Sequence, residues 1–145
     1  MRNVIVTLAT LMLATALSAG EKKFMYCVYF SVVDSATEAE WQAFAKTTDA
    51  LPAKISGLSK VWHGKLTRPV PVYSPDGEAR KKLAAGEEKV AGDITQSIRK
   101  YGVCMEFADE AAYKGYGPHP AHKEWEAVYS KVRVAGTTTI DFMGQ

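Results

Sequence analysis

Two of the chain's three histidines and two of its seven tyrosines fall in one short run, Tyr113-Lys-Gly-Tyr116-Gly-Pro118-His119-Pro120-Ala-His122-Lys-Glu-Trp125. An imidazole can take or pass a proton near neutral pH, and a phenol can donate a hydrogen bond to a developing oxyanion. Side by side they would suit proton abstraction next to a carbonyl, with His122 as the base and Tyr116 as the oxyanion donor. Proline lacks an N–H and fixes φ, so Pro118 and Pro120 each interrupt regular structure. Proline is well accepted at the first helical position. The run therefore predicts His119 at an N-cap, Pro120 at N1 and a helix from about 121 to about 131. His122 then lies in the first turn, where unpaired N–H groups and the helix dipole disfavour an imidazolium. His122, Trp125, Glu126 and Tyr129 recur at helical spacing, so the apolar members of that face carry His122 inward.

Two other readings of the same residues stand beside this one. His119 and His122 would fix the turn by hydrogen bonds to the backbone, while Tyr116 packs with its hydroxyl satisfied. Alternatively, His119 and His122 would share a zinc ion with Glu126. The spacing specifies no third ligand and Pro120 separates the pair, so neither a metal site nor a cofactor is expected from the motif.

The elements that position this run must come from a chain of 145 residues, which suggests one domain. A hydrophobic share of 47% with 23% charged residues is that of a globular protein. The formal charge of +2 is spread among interspersed acids and bases. Without a basic stripe, the electrostatic footprint that nucleic-acid binding needs is missing. Residues 1–19 read as a signal peptide: Arg2, an apolar run from Val4 to Leu17, then small residues that permit cleavage after Ala16 or Ala19. That run is short for a membrane span, which needs about 20 residues; an uncleaved anchor is the alternative. The mature protein is thus expected to be secreted or periplasmic, with no membrane segment. Disulfides are permitted there, and Cys27 and Cys104, both in predicted strands, allow one. Whether they bridge or pack as small buried thiols stays open, because pairing across strands must meet tight Cα and Cβ distances.

Along the mature chain, Phe24 to Val33 is rich in aromatic and β-branched residues and predicts a strand. Both of its parities are apolar, so both faces should be covered, one by helices and the other by a partner subunit. Thr37 with Glu40 fits a capping box, opening a helix to about Leu51 with Trp41, Phe44, Ala45, Thr48 and Leu51 on one stripe. A second strand is expected from about Leu58 to Leu66, with His63 facing solvent. Three prolines in Arg68–Pro75 argue against a central strand, and residues 67–100 read as an insertion. Within it, Glu78–Lys89 has helical composition, and 93–99 is ambiguous. A third strand, Tyr101–Phe107, places Tyr101, Val103, Met105 and Phe107 on one face. A short helix then leads into the tyrosine–histidine run, and a fourth strand closes the chain by about Met143. This βαββαβ order predicts an α+β sandwich with helices on one side of a four-stranded antiparallel sheet. The bare side, with Met25, Cys27, Tyr29 and Val33, would require a partner, most simply a second copy.

This order, with several local matches, resembles the stress-responsive dimeric α/β barrel family, called Dabb. The matches are Tyr26–Phe30, Leu51-Pro-Ala-Lys-Ile-Ser-Gly-Leu58, Trp62-His-Gly64, Met105-Glu-Phe107, Asp109-Glu-Ala-Ala-Tyr113, His119-Pro-Ala-His122 and Ile140-Asp-Phe142. The resemblance spans 24–143 apart from the insertion. It implies a ferredoxin-like fold, a homodimer and a small-molecule-binding or stress-related module, since most members have no assigned reaction. One branch, the plant polyketide cyclases that make olivetolic acid, is similar in its motif. There a tyrosine and the second histidine act in an aldol-type ring closure, and the positions here are Tyr116 and His122. The cyclases carry further histidines where this chain has Phe24 and Tyr101, and they lack its leader and insertion. A polyketide-like, apolar or aromatic ligand would then lie in a pocket lined by Tyr26, Val28, Phe30, Tyr101, Val103, Met105, His119 and Trp125.

Overall fold

In the computed structural model, which describes residues 22–144, strand β1 (Phe24–Phe30) is the inner strand on which everything else is laid. Its even-numbered residues Phe24, Val28 and Phe30 are buried. β1 pairs antiparallel with β3 (Ile94–Phe107) on one side and with β4 (Thr138–Met143) on the other. β2 (Leu58–Pro75) pairs with the far side of β3, giving the order β2-β3-β1-β4. This is the α+β ferredoxin-like arrangement expected from the sequence. The expected first strand stops short: after Phe30 only an isolated bridge, Val32 to Arg133, continues it.

Helix α1 (Glu38–Asp49) starts at the predicted capping box, with the Glu40 amide donating to Thr37 Oγ1 and the Thr37 amide donating to Glu40. Such a cap contributes about 1 kcal/mol. Helix α1 ends near the expected Leu51, and a separate short helix with Pro52 in its first turn, α2 (Leu51–Lys54), follows where none was expected. Gly57 then turns the chain with φ +83°, and a Cβ there would lie 2.5 Å from the Ala112 Cβ. Glycine is required by conformation and by space together.

Helices α4 (Glu110–Tyr116) and α5 (Pro120–Val132) pack with α1 over one face of the sheet. The core between them holds Phe30, Phe44, Leu51, Val103, Met105, Phe107, Trp125 and Val132, all nearly sealed from solvent. Trp125 Nε1 donates to Thr48 Oγ1 at 2.9 Å, and Thr48 Oγ1 donates to the Phe44 carbonyl at 2.7 Å. This buried chain ties α5 to α1 by a polar contact as well as by packing.

The segment 67–100, expected as an insertion with a helical stretch inside it, takes a more regular form than its prolines suggested. It is a continuation of the sheet, with β2 running on past a register shift between Lys65 and Val70 to pair with residues 94–99. Helix α3 (Gly77–Ala84) sits at the tip, capped by Asp76. Prolines are compatible because β2 is an edge strand. Pro69, Pro71 and Pro75 share one parity, so the positions lacking an N–H can all face the unpaired edge.

Two further expectations are corrected. His63 does not face solvent; it turns toward the helix layer. On the open face Cys27 is sealed at 2% exposure, and the exposed apolar residues are Trp62, Ile140 and Phe142, at 44%, 47% and 51%. Cys27 and Cys104 are register partners in β1 and β3 and are disulfide-bonded, with Cα atoms 4.1 Å apart.

Candidate functional site

Helix α4 is capped by Asp109, whose carboxylate accepts from the Ala112 amide at 2.7 Å. It ends at Tyr116, and Gly117-Pro118 carries the chain to His119. The His119 amide donates back to the Tyr116 carbonyl at 3.0 Å, which fixes the corner. His119 is the N-cap of α5: its Nδ1 accepts from the Ala121 amide at 3.1 Å. This is a backbone contact of the kind the turn-fixing alternative expects, and His119 does not line the crevice beside Tyr116.

His122 follows on the first turn, with its side chain 16% exposed. Its Nδ1 lies 2.9 Å from the Gly117 carbonyl. A carbonyl only accepts, so Nδ1 carries the proton and donates. In the neutral ring the lone pair is then on Nε2. Glu126 Oε1 lies 3.9 Å from Nε2, too far for a hydrogen bond. The His122 ring packs 4.2 Å from the Tyr116 ring and 5.8 Å from that of Trp125. The motif thus brings Tyr116 and His122 together, and the helix face delivers Trp125 beside them.

Tyr116 is 3% exposed, and its hydroxyl has no hydrogen-bond partner among the described residues; nor has that of Tyr129. Burial above all, then the nearby Tyr26 hydroxyl and Glu126, hold the Tyr116 phenol far above its ordinary pKa. Burial does the same to Tyr129, and Tyr26 is pushed up to about 12 by burial and then by Tyr113. These phenols stay protonated and act as donors.

Tyr26, Tyr113, Lys114, Tyr116, Gly117 and His122 line an open crevice of about 270 Å³. Of the residues expected to line the pocket, only Tyr26 reaches this crevice. Val28, Phe30, Val103, Met105 and Trp125 are closed in the core. The apolar spacing that marks a pocket wall equally marks a packed layer, and the packed layer fills the space.

Tyr101 is placed elsewhere, in a group that sequence spacing does not reveal. His63 Nδ1 is 3.0 Å from the Tyr101 hydroxyl, and His63 Nε2 is 3.1 Å from Asp49 Oδ1. Burial and then the Asp49 carboxylate raise the Tyr101 pKa. Tyr101 also lines a second cavity of about 470 Å³ with Trp41 and Leu66. The three polar residues come from α1, β2 and β3, so only strand pairing unites them. Among the described residues, no three His, Cys, Asp or Glu side chains converge as a metal would need.

No protein-family model matches the chain, and no curated protein matches it. Solved structures share its fold. A Dabb family protein with a ferredoxin-like fold from Mesorhizobium loti is 18% identical, with a TM-score of 0.53 over 84% of this chain and 96% of that one. A dimeric ferredoxin-like protein of unknown function from Thermobifida fusca is 19% identical, with a TM-score of 0.54 over 84% and 91%. A hydroxynitrile lyase from Passiflora edulis is 10% identical, with a TM-score of 0.57 over 87% and 95%. At these identities the likeness is one of fold: the chain has the ferredoxin-like fold of Dabb proteins.

Proposed function

We propose that this is an exported, homodimeric Dabb-like protein that binds a small aromatic or apolar molecule bearing one polar group beside Tyr116 and His122. The observation that carries this reading is the buried, unpartnered hydroxyl of Tyr116 at a crevice shared with His122. An unmade hydrogen bond at a buried donor costs about 1–3 kcal/mol. The Tyr116 hydroxyl is sealed beneath the crevice that Tyr116 lines, so a ligand whose polar atom is admitted by a small side-chain shift recovers that cost, while the rings of Tyr26, Tyr113 and His122 supply stacking surface. Dimerisation is supported by the apolar open face around Trp62, Ile140 and Phe142 and by the dimeric description of a structure with this fold. Export rests on the leader, which lies outside the described residues, and the disulfide fits an oxidising compartment.

The test is titration with phenols and aryl ketones, followed by Trp125 fluorescence. A saturable change that weakens in Tyr116→Phe and in His122→Ala is expected. A panel that leaves the fluorescence of a folded wild type untouched refutes the reading.

A second reading, a cyclase- or lyase-like enzyme, is favoured by one observation. The Gly117 carbonyl holds His122 in the tautomer that leaves Nε2 basic. Nε2 would take a proton from the carbon next to a carbonyl, and Tyr116 would donate to the enolate oxygen. Deuterium exchange into an aryl methyl ketone, lost in His122→Ala, is the expected signature. Equal exchange in wild type and variant removes this reading while leaving binding intact.

A further inference from the structure

At the base of the β2–β3 arm, where β3 leaves β1, Arg99 is only 7% exposed. Burying a guanidinium is costly unless an anion accompanies it, and no acidic side chain pairs with Arg99 among the described residues. Its Nε donates to Thr138 Oγ1 at 3.1 Å and its Nη1 to Ser31 Oγ at 3.0 Å. The Ser31 hydroxyl proton is already given to the Ile98 carbonyl at 2.8 Å. Arg99 Nη2 has no partner among the described residues, and it is not one of the sealed orphan atoms, so it remains reachable. Arg99 forms one wall of a cavity of about 470 Å³, separate from the Tyr116–His122 crevice.

The rest of that wall is chemically consistent. Ser74 and Ser97 offer hydroxyls, Lys100 adds a second cation, and Val32 and Val134 supply apolar surface. Asp34 also lines the cavity, so the local balance is one net positive charge. The two N–H groups of the unpartnered Nη2 suit a carboxylate oxygen, which accepts a charge-assisted hydrogen bond from a guanidinium. A single net positive charge suits a monoanion better than a phosphate dianion.

We propose that this cavity is a binding site for a small monocarboxylate with an apolar body, held on the free Nη2 of Arg99. The site is independent of the crevice at Tyr116 and His122. It adds an anionic ligand class to a protein whose other candidate site is neutral and aromatic. Arg99 thereby ties β3 to β4 and to Ser31, just past the end of β1, and leaves Nη2 for the ligand.

The test is an NMR titration of the full disulfide-bonded protein with benzoate, to about 10 mM. The readouts are the backbone amides of 97–100 and the Arg99 side-chain Nε–H resonance. Expected are saturable shifts at these positions, with inorganic phosphate at least about tenfold weaker. Arg99→Lys, which keeps the charge and loses the Nη2 donors, should weaken benzoate by about tenfold or more. Asp34→Asn should tighten it, and Tyr116→Phe should leave it unchanged, which separates this site from the crevice. Shifts that never saturate, shifts confined to other regions, or undiminished binding by folded Arg99→Lys would overturn the proposal. If Arg99→Lys does not fold, Lys100→Gln must weaken and Asp34→Asn must tighten benzoate; unchanged affinity in both overturns it equally.

Discussion

Replacing Thr48 by valine tests whether the Trp125–Thr48 hydrogen bond, and not packing alone, fixes α5 over the sheet. Thr48 is fully buried and Trp125 is 2% exposed. Valine keeps the shape but removes the acceptor at 2.9 Å from the indole nitrogen. The stranded N–H costs about 1–3 kcal/mol. The bond Thr48 gives the Phe44 carbonyl leaves no orphan donor, because the donor goes with it. A new buried methyl returns up to about 0.8 kcal/mol. The net expectation is a loss of about 1–2 kcal/mol, or roughly 4–8 °C in Tm for a domain of this size. Urea unfolding followed by circular dichroism measures it in the oxidised protein. A double-mutant cycle isolates the bond. In a Trp125→Phe background there is no indole N–H to strand, so Thr48→Val should be neutral or mildly stabilising. Equal costs in both backgrounds would refute the reasoning and assign Thr48 to packing alone.

Reducing the Cys27–Cys104 bridge, which spans 77 residues, should cost about 4 kcal/mol by loop entropy, read as a shift of the urea midpoint; an unmoved midpoint would contradict it. Tyr116→Phe removes an unpartnered buried hydroxyl. It should leave ligand-free stability unchanged or raise it by up to about 1 kcal/mol, and a clear loss would reveal a partner for that hydroxyl. Tyr26 has its folded-state pKa raised to about 12 by burial and then by Tyr113. Its contribution is complete below the unfolded phenol value of about 10 and is lost as pH rises from there through 12. Urea midpoints should therefore fall across that window, and less steeply in Tyr26→Phe; identical slopes would be contrary. Trp62→Glu places a charge on the open face, where Trp62 is 44% exposed. It should convert a wild-type dimer to a monomer in sedimentation, whereas a monomeric wild type would end the dimer proposal.

Features governed by neighbours in the chain were legible in advance. Thr37 and Glu40, three residues apart, make the capping box that opens α1. The His119-Pro120 pair opens α5 at the expected residue because a proline at N1 forgoes only an orphan donor. Strand parity placed Val103, Met105 and Phe107 on the helix face. The prolines correctly excluded a central strand, but that the segment runs on as an edge strand depends on its pairing with residues 94–99, which local pattern does not specify. The shared parity of Pro69, Pro71 and Pro75 was the available sign of an edge.

What the sequence determined by itself is therefore the element order, the two-sided character of β1, and the turn that sets Tyr116 against His122. These depend on rules acting over a few residues. The pairing of Cys27 with Cys104, the place of His63 between Asp49 and Tyr101, and the burial of Arg99 without a carboxylate among the described residues arise from the assembled sheet. Each depends on which strand lies beside which and in what register. A strand's own residues specify which way its side chains alternate, but not the residues opposite them.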